Sequence, residues 1–168
     1  MHIRPVTIHE LPIIRQLAHE IWPIAYREMI SQAQMDYMLA WMYSIDSLQQ
    51  QVSDGHHFFL ASDELNQPLG FSSYSLTDSG AVPVYKLHKL YVHPHLHGKG
   101  IGKALLHHII SILQKTGDCQ LILNVNRSNK AVTFYQKIGF KILEQVDNEI
   151  GNGFYMSDYI MGKDIIKG

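Results

Sequence analysis

The feature that most constrains this chain is the stretch from Val84 to Leu113, VYKLHKLYVHPHLHGKGIGKALLHHIISIL. It joins an apolar, β-prone run (Val84 to Val92), a His/Gly-rich turn (His93 to Gly102) and an amphipathic run (Lys103 to Leu113), which reads as strand, anion-binding loop and helix. In the loop Gly98, Gly100 and Gly102 alternate with Lys99, Ile101 and Lys103. Glycines leave backbone N–H groups uncovered, and a helix N-terminus adds the positive end of its dipole, so such a loop can hold phosphate. A dinucleotide fold requires G-x-G-x-x-G in an early βα unit, whereas Lys103 stands three residues after Gly100 and the motif is mid-chain. A P-loop requires G-x-x-x-x-G-K-[ST], and the fifth residue after Gly98 is Lys103. What remains is an alternating-glycine loop behind a strand that ends Leu-Tyr-Val.

Composition narrows the setting. A chain of 168 residues with 46% hydrophobic content fits one globular domain, residues 1–168, with a substantial core. Lys and Arg together number 14 against 15 Asp and Glu, so no overall field favours nucleic acid or an anionic membrane, and neither is expected as a partner. The single cysteine, Cys119, lies in an apolar run and reads as a buried thiol, which suits a reducing cytoplasm. No stretch approaches the roughly 18 apolar residues of a membrane span, and the N-terminus lacks a signal peptide's apolar region, so a soluble cytoplasmic location is expected.

Taken in order, HIRPV (2–6) predicts a strand, and Thr7 with Glu10 three residues later predicts a capping box opening a helix near 8–20, with Ile13, Ile14, Leu17 and Ile21 facing the core. Residues 22–43 are rich in aromatics and methionine, and Pro23 and Ser31 are expected to break them into two short helices. Tyr37, Met38, Trp41 and Met42 recur at helical spacing as a core stripe, or alternatively as a pliable ligand wall. A polar helix follows at 47–53, then β-prone runs at 56–62 and 69–76 joined as a hairpin. After the central helix, CQLILNV (119–125) reads as a strand covered on both faces. Asn129 caps a short helix that ends at Gly139, Phe140 starts another strand, and FYMSDYIMGKDI (154–165) closes the sheet antiparallel to 140–146. The fold class is therefore α/β (α+β), with element order βα(α)βββαβαββ.

LYVHPHLHGKGIGKALL, together with the N-x-x-A-x-x-F-Y-x-x-x-G-F pattern from Asn129 to Phe140, resembles the GNAT superfamily of acetyl-CoA-dependent N-acetyltransferases. The first motif is similar to the family's [Q/R]-x-x-G-x-[G/A] pyrophosphate loop, with His97 at the Gln/Arg position and Gly100 and Gly102 as the small residues. The resemblance implies a mixed, mostly antiparallel sheet of about seven strands, helices on both faces, and a central splayed parallel strand pair. It implies acetyl-CoA as cofactor, held by His97, Gly98, Lys99, Gly100, Ile101, Gly102 and Lys103 at the pyrophosphate. The backbone of Leu90, Tyr91 and Val92 would hold pantetheine as an added strand, with Asn124, Asn129 and Tyr135 completing the coenzyme set.

The reaction implied is direct transfer to a primary amine of a small molecule or peptide in a ternary complex. The Leu90 N–H would polarise the thioester carbonyl. His88, which resembles in position a catalytic histidine of serotonin N-acetyltransferase, would act as base, with a structural histidine as the other reading. Tyr135 would be the acid for the leaving thiolate, since a phenol with a pKa near ~10 can donate to a thiolate whose conjugate acid lies near ~8.5. In the family, the region between the first two strands covers the acceptor, which points to Trp22, Tyr26, Tyr37 and Trp41, and this phrase is weakly similar to PaiA-type spermidine/spermine acetyltransferases. Metal ligands are not expected: His93, His95 and His97 alternate, but no Cys or acidic cluster joins them. Two other functions stay open, a coenzyme A-binding sensor without turnover and a protein N-terminal acetyltransferase. A homodimer stands among the assemblies to test.

Overall fold

The computed structural model describes residues 1–168. Seven strands form one sheet, β1 (His2–Pro5), β2 (His57–Ser62), β3 (Pro68–Asp78), β4 (Val84–Val92), β5 (Cys119–Asn126), β6 (Lys141–Gly151) and β7 (Phe154–Ile165), in the order β1-β2-β3-β4-β5-β7-β6. Five α-helices accompany them: α1 (Leu11–Ala25), α2 (Gln32–Tyr43), α3 (Ile45–Ser53), α4 (Ile101–Thr116) and α5 (Ala131–Ile138). The only parallel pairing is β4 with β5, from Val84↔Gln120 to Leu87↔Leu123, where the ladder ends. The pairs β1·β2, β2·β3, β5·β7 and β6·β7 are antiparallel. This is the mixed, mostly antiparallel sheet the motifs imply.

The chain forms two compact units, Met1–Ser75 with His88–Ile112, and Leu76–Leu87 with Leu113–Gly168. In the first, Glu10 accepts from the Thr7 N–H at 3.1 Å, and the helical segment opens as a 3₁₀ turn at Ile8–Glu10 before α1 takes over. Its core is the apolar face of α1 (Leu11, Ile14, Leu17, Ile21, Trp22) with Met35, Leu39, Tyr43, Leu48, Phe71, Leu105, Leu106 and Ile109. Pro23 does not end the helix as the sequence suggests. Proline removes one N–H without preventing the next turn, and α1 runs through it until the Tyr26 N–H donates to the Trp22 carbonyl at 3.0 Å. Ser31 is the N-cap of α2, its Oγ accepting from the Gln34 N–H at 3.1 Å, so one helix follows it. Lys89 is 3% exposed on β4, and its ammonium donates to Gln51 Oε1 at 2.6 Å with the Tyr43 and Phe58 rings 5.4 and 5.5 Å away.

In the second unit, Leu121, Leu123, Val125, Tyr135, Phe140, Met161 and Ile165 are buried. Strand β5 alternates, with Cys119, Leu121, Leu123 and Val125 buried and Gln120, Ile122, Asn124 and Asn126 only half-buried, so the expected full cover on both faces is not what forms. The polar residues at 120, 124 and 126 are what keep that face less closed. Strands β6 and β7 join through Asn152 and Gly153, at φ +54° and +76°, a tight turn that needs left-handed backbone at both central positions. That turn extends β6 to Gly151, beyond the expected limit of 146.

Candidate active site

In the first unit, β4 delivers the chain into a 3₁₀ turn at Pro94–Leu96, and α4 begins at Ile101, two residues earlier than its amphipathic run suggests. Gly98 and Gly100 take φ +82° and +80°, and a Cβ built on either meets nothing within 4 Å. The turn therefore requires glycine for its backbone and leaves open space beside it. The Gly100 carbonyl accepts the Ala104 N–H at 3.0 Å, so the amides of Ile101, Gly102 and Lys103 belong to a first turn that has no acceptor four residues back. The Ile101 side chain is buried and fixes the helix start, while Lys99 and Lys103 are exposed. His97 Nε2 lies 3.1 Å from the Val92 carbonyl, and because a carbonyl only accepts, Nε2 carries the hydrogen. The imidazole at the Gln/Arg position thus ties the loop back to the end of β4.

Along β4, Leu87 and Lys89 are buried while His88 and Leu90 are half-buried, as alternation requires. His88 Nε2 is 2.7 Å from Ser75 Oγ and its ring stacks on His56 at 4.1 Å. The four aromatic residues picked out for the acceptor do not form one exposed surface. Trp22 and Tyr26 are 1% and 8% exposed, packed with Tyr43, Phe71 and Tyr91, and the Tyr26 hydroxyl bonds that of Tyr91 at 2.9 Å. Tyr37 and Trp41 instead stack on each other at 6.1 Å, with Trp41 51% exposed. The two pairs belong to different helices, α1 with its C-cap and α2, and the face each helix turns to the core decides burial, which composition alone does not. The His93 and His95 rings lie 4.9 Å apart, and His93 Nε2 meets Glu20 at 2.8 Å.

In the second unit, Asn129 Oδ1 accepts the Ala131 N–H at 2.9 Å and opens α5, while Gly139 at φ +107° closes it. Tyr135 is buried, its ring edge-on to Phe134 at 5.2 Å and to Phe140 at 5.6 Å. Asn124 Nδ2 donates to Asp158 Oδ2 at 3.4 Å. Asp158 is 6% exposed, and burial pushes its carboxyl above the usual carboxylate range, partly offset by the Asn124 hydrogen bond and the Lys86 and Arg127 charges. Burial lowers the Lys86 ammonium, against the pull of Asp158. This group went unnoticed in the sequence. The one signal for it is an acid in the middle of an otherwise apolar, alternating strand, FYMSDYIM.

A loop of open amides between strand β4 and the start of α4 has the chemistry to hold the phosphates of an acyl-CoA donor. Residues 54–142 match the model of the Acetyltransferase (GNAT) domain, and the chain belongs to that family, as an acetyl-CoA-dependent N-acetyltransferase. It is 29% identical to the spermidine N(1)-acetyltransferase of Thermoplasma acidophilum over 97% of this chain and 96% of that one. The crystal structure of the PaiA N-acetyltransferase from Thermoplasma acidophilum in complex with coenzyme A superposes with a TM-score of 0.76 at 28% identity, over 96% of this chain and 97% of that one. The peptidyl-lysine N-acetyltransferase YjaB of Escherichia coli is 34% identical over 50% of this chain and 49% of its own length. No helix is long and apolar enough to cross a membrane.

Proposed function

We propose that residues 1–168 act as one N-acetyltransferase domain that moves the acetyl group of acetyl-CoA to a primary amine of a small polyamine-like acceptor by direct attack in a ternary complex. The observation that carries the donor side is the loop: two glycines at positive φ, with open space beside each, immediately before α4. The amides of residues 98–103 then take the pyrophosphate, with His97 bracing the loop, and the backbone of Leu90, Tyr91 and Val92 takes the pantetheine. Asn124 and Asn129 are the second unit's polar contributors to the coenzyme. The polyamine class is supported by likeness along nearly the whole chain to a spermidine acetyltransferase. Tyr37 and Trp41 are the aromatic pair available to the acceptor, with Trp22 and Tyr26 as the packed layer that holds α1 in place.

The chemistry follows from charge. The Leu90 N–H stabilises the oxyanion, His88 takes the proton the attacking nitrogen loses as the C–N bond forms, and Tyr135 protonates the departing thiolate. An acetyl-cysteine intermediate is disfavoured because Cys119 is 3% exposed and burial raises its thiol above the usual range. A buried unpaired thiol also fits the reducing cytoplasm in which we place the reaction. Should a second copy associate, the exposed edge strand β6, carrying Ile142 and Leu143, is the element we propose it pairs with. The test is Tyr135→Phe, assayed by thiol release from acetyl-CoA with spermidine as the amine: kcat should fall tenfold or more with coenzyme A affinity unchanged, and an unchanged kcat removes Tyr135 as the acid.

A further inference from the structure

A loop that holds phosphate through backbone amides binds well only when those amides are already in place, and affinity falls in proportion to the fraction of time they are not. Residues 97–100 are exposed, and Gly98 and Gly100 have no Cβ to pack, so the loop has little of its own to fix it. Its order must come from its ends. Downstream, Ile101 is buried at the start of α4, and His97 ties the middle of the loop to the Val92 carbonyl. Upstream, the anchor is His93.

His93 is fixed on two sides, both within the first unit. Its backbone N–H donates to the Leu69 carbonyl of β3 at 3.1 Å, and its Nε2 donates to Glu20 Oε2 of α1 at 2.8 Å. A carboxylate only accepts, so Nε2 carries the hydrogen. The turn that follows, Pro94–Leu96, packs against the same helix. That helix is a rigid support: Trp22, two residues beyond Glu20, is 1% exposed, and its ring meets that of Tyr91 on β4 at 5.7 Å. Gln16 Nε2 donates to the other carboxylate oxygen of Glu20 at 3.0 Å. The Gln16 bond does most to hold the Glu20 carboxyl below the usual carboxylate range, and His93 adds to it against the opposing effect of burial. Glu20 is therefore ionised throughout the neutral range. The groups that face the His93 ring are Glu20, with Gln16 behind it, from α1 and the His95 ring, 4.9 Å away, from its own turn, while β3 supplies the Leu69 carbonyl.

We infer that Glu20 is a positioning residue for coenzyme A, acting through His93 as a latch that holds the upstream end of the phosphate loop against α1. A neutral imidazole already donates one hydrogen bond to the carboxylate, and a charged imidazole roughly doubles the strength of that bond. An ordinary imidazole titrates near ~6.5, so the added attraction is present at pH 5.5 and is lost as pH rises to 8.5. The latch is thus tightest in mild acid, where charge on His95 is the one opposing influence from its own turn. The sign of the effect separates a latch from a bare charge. Glu20 is an anion near an anion-binding loop, so if it acted through its field alone, its removal would tighten coenzyme binding. As a latch, its removal loosens binding. The inference rests on the reading of residues 97–103 as the coenzyme loop.

The experiment is titration calorimetry of coenzyme A into wild type, Glu20→Gln, His93→Gln and the double variant, each at pH 5.5 and pH 8.5. Glutamine at 20 keeps an oxygen for the His93 Nε2–H but removes the charge. Glu20→Gln should therefore bind coenzyme A about fivefold more weakly than wild type at pH 5.5 and within about twofold of it at pH 8.5. Fivefold is the upper end for a screened pair, since the Glu20 side chain is 42% exposed. A loss under about twofold at pH 5.5, or tighter binding, overturns the inference. So does an equal loss at both pH values, which is what a merely structural contact gives. His93→Gln cannot take up a charge, so adding Glu20→Gln to it should change affinity by less than about twofold at either pH. A further fivefold loss there means that Glu20 acts through another group, and overturns the inference. If Glu20→Gln does not fold, His93→Gln decides alone: it should show the loss at pH 5.5 only, and any other pattern overturns the inference. A wild type that binds no coenzyme A overturns the loop reading and this inference together, whereas binding indifferent to Glu20 overturns the inference alone.

Discussion

Gly100 serves two separable purposes, and a matched control can divide them. Its φ of +80° is a conformation that an L-residue occupies at a cost of about 1–2 kcal/mol, and a Cβ there meets no atom within 4 Å, so no steric clash adds to that figure. Gly153, in the β6–β7 turn, has φ +76° and the same open surroundings. Gly100→Ala and Gly153→Ala should therefore lose the same stability. For a domain of this length, 1–2 kcal/mol at about 2–4 °C per kcal/mol corresponds to a fall in Tm of about 2–8 °C, read by calorimetric melting. Coenzyme binding should part them. Gly153→Ala should bind coenzyme A within twofold of wild type, and Gly100→Ala should lose about tenfold because its methyl group occupies the phosphate's approach. In Gly100→Glu, a carboxylate about 5 Å from one phosphate charge at an effective dielectric near 20 costs about 3 kcal/mol, a loss of ~100-fold or more by titration calorimetry. A folded Gly100→Glu protein with wild-type affinity would refute the phosphate-loop assignment. Equal melting of Gly100→Ala and wild type would refute the conformational part of the reasoning.

Two further outcomes bear on the frame around the site. A Cβ added at Gly70 lies 2.5 Å from the Tyr91 carbonyl oxygen and 3.1 Å from the Val92 Cα, both backbone atoms of β4, so Gly70→Ala should cost about 2–3 kcal/mol in urea unfolding, and a loss below about 0.5 kcal/mol would contradict that packing. Arg4 holds the Glu10 carboxyl at about 2, helped by the Thr7 N–H, against ~4.3 for a free glutamate. The folded value is the lower one, so this stabilisation is present above about pH 5 and is lost as pH falls from there towards about 2. Because Arg4 is 45% exposed, screening reduces it to about 1 kcal/mol, and Glu10→Gln should lose that much at pH 7 and nothing more at pH 2 in chemical denaturation.

What the sequence determined by itself is what short-range physics controls. Glycine at 98, 100 and 139 announces backbone at positive φ, Ser31 and Asn129 announce helix starts, and period-two runs announce strands, because each depends on a few adjacent residues. The family, the cofactor and the strand–loop–helix unit were legible on those terms. Burial at aromatic positions was not: Trp22 and Trp41 look equivalent in sequence, yet one is sealed in the core and the other half-open, since the register of each helix against its neighbours decides it. Nor could the sequence show that β7 would enter between β5 and β6, which brings Asp158 to Asn124 and under the influence of Lys86. Those three side chains come from three strands, and a carboxylate acquires its chemistry from the dielectric and the charges around it, so only the tertiary structure could show that this acid in an apolar strand is buried with its carboxyl pushed above the usual range.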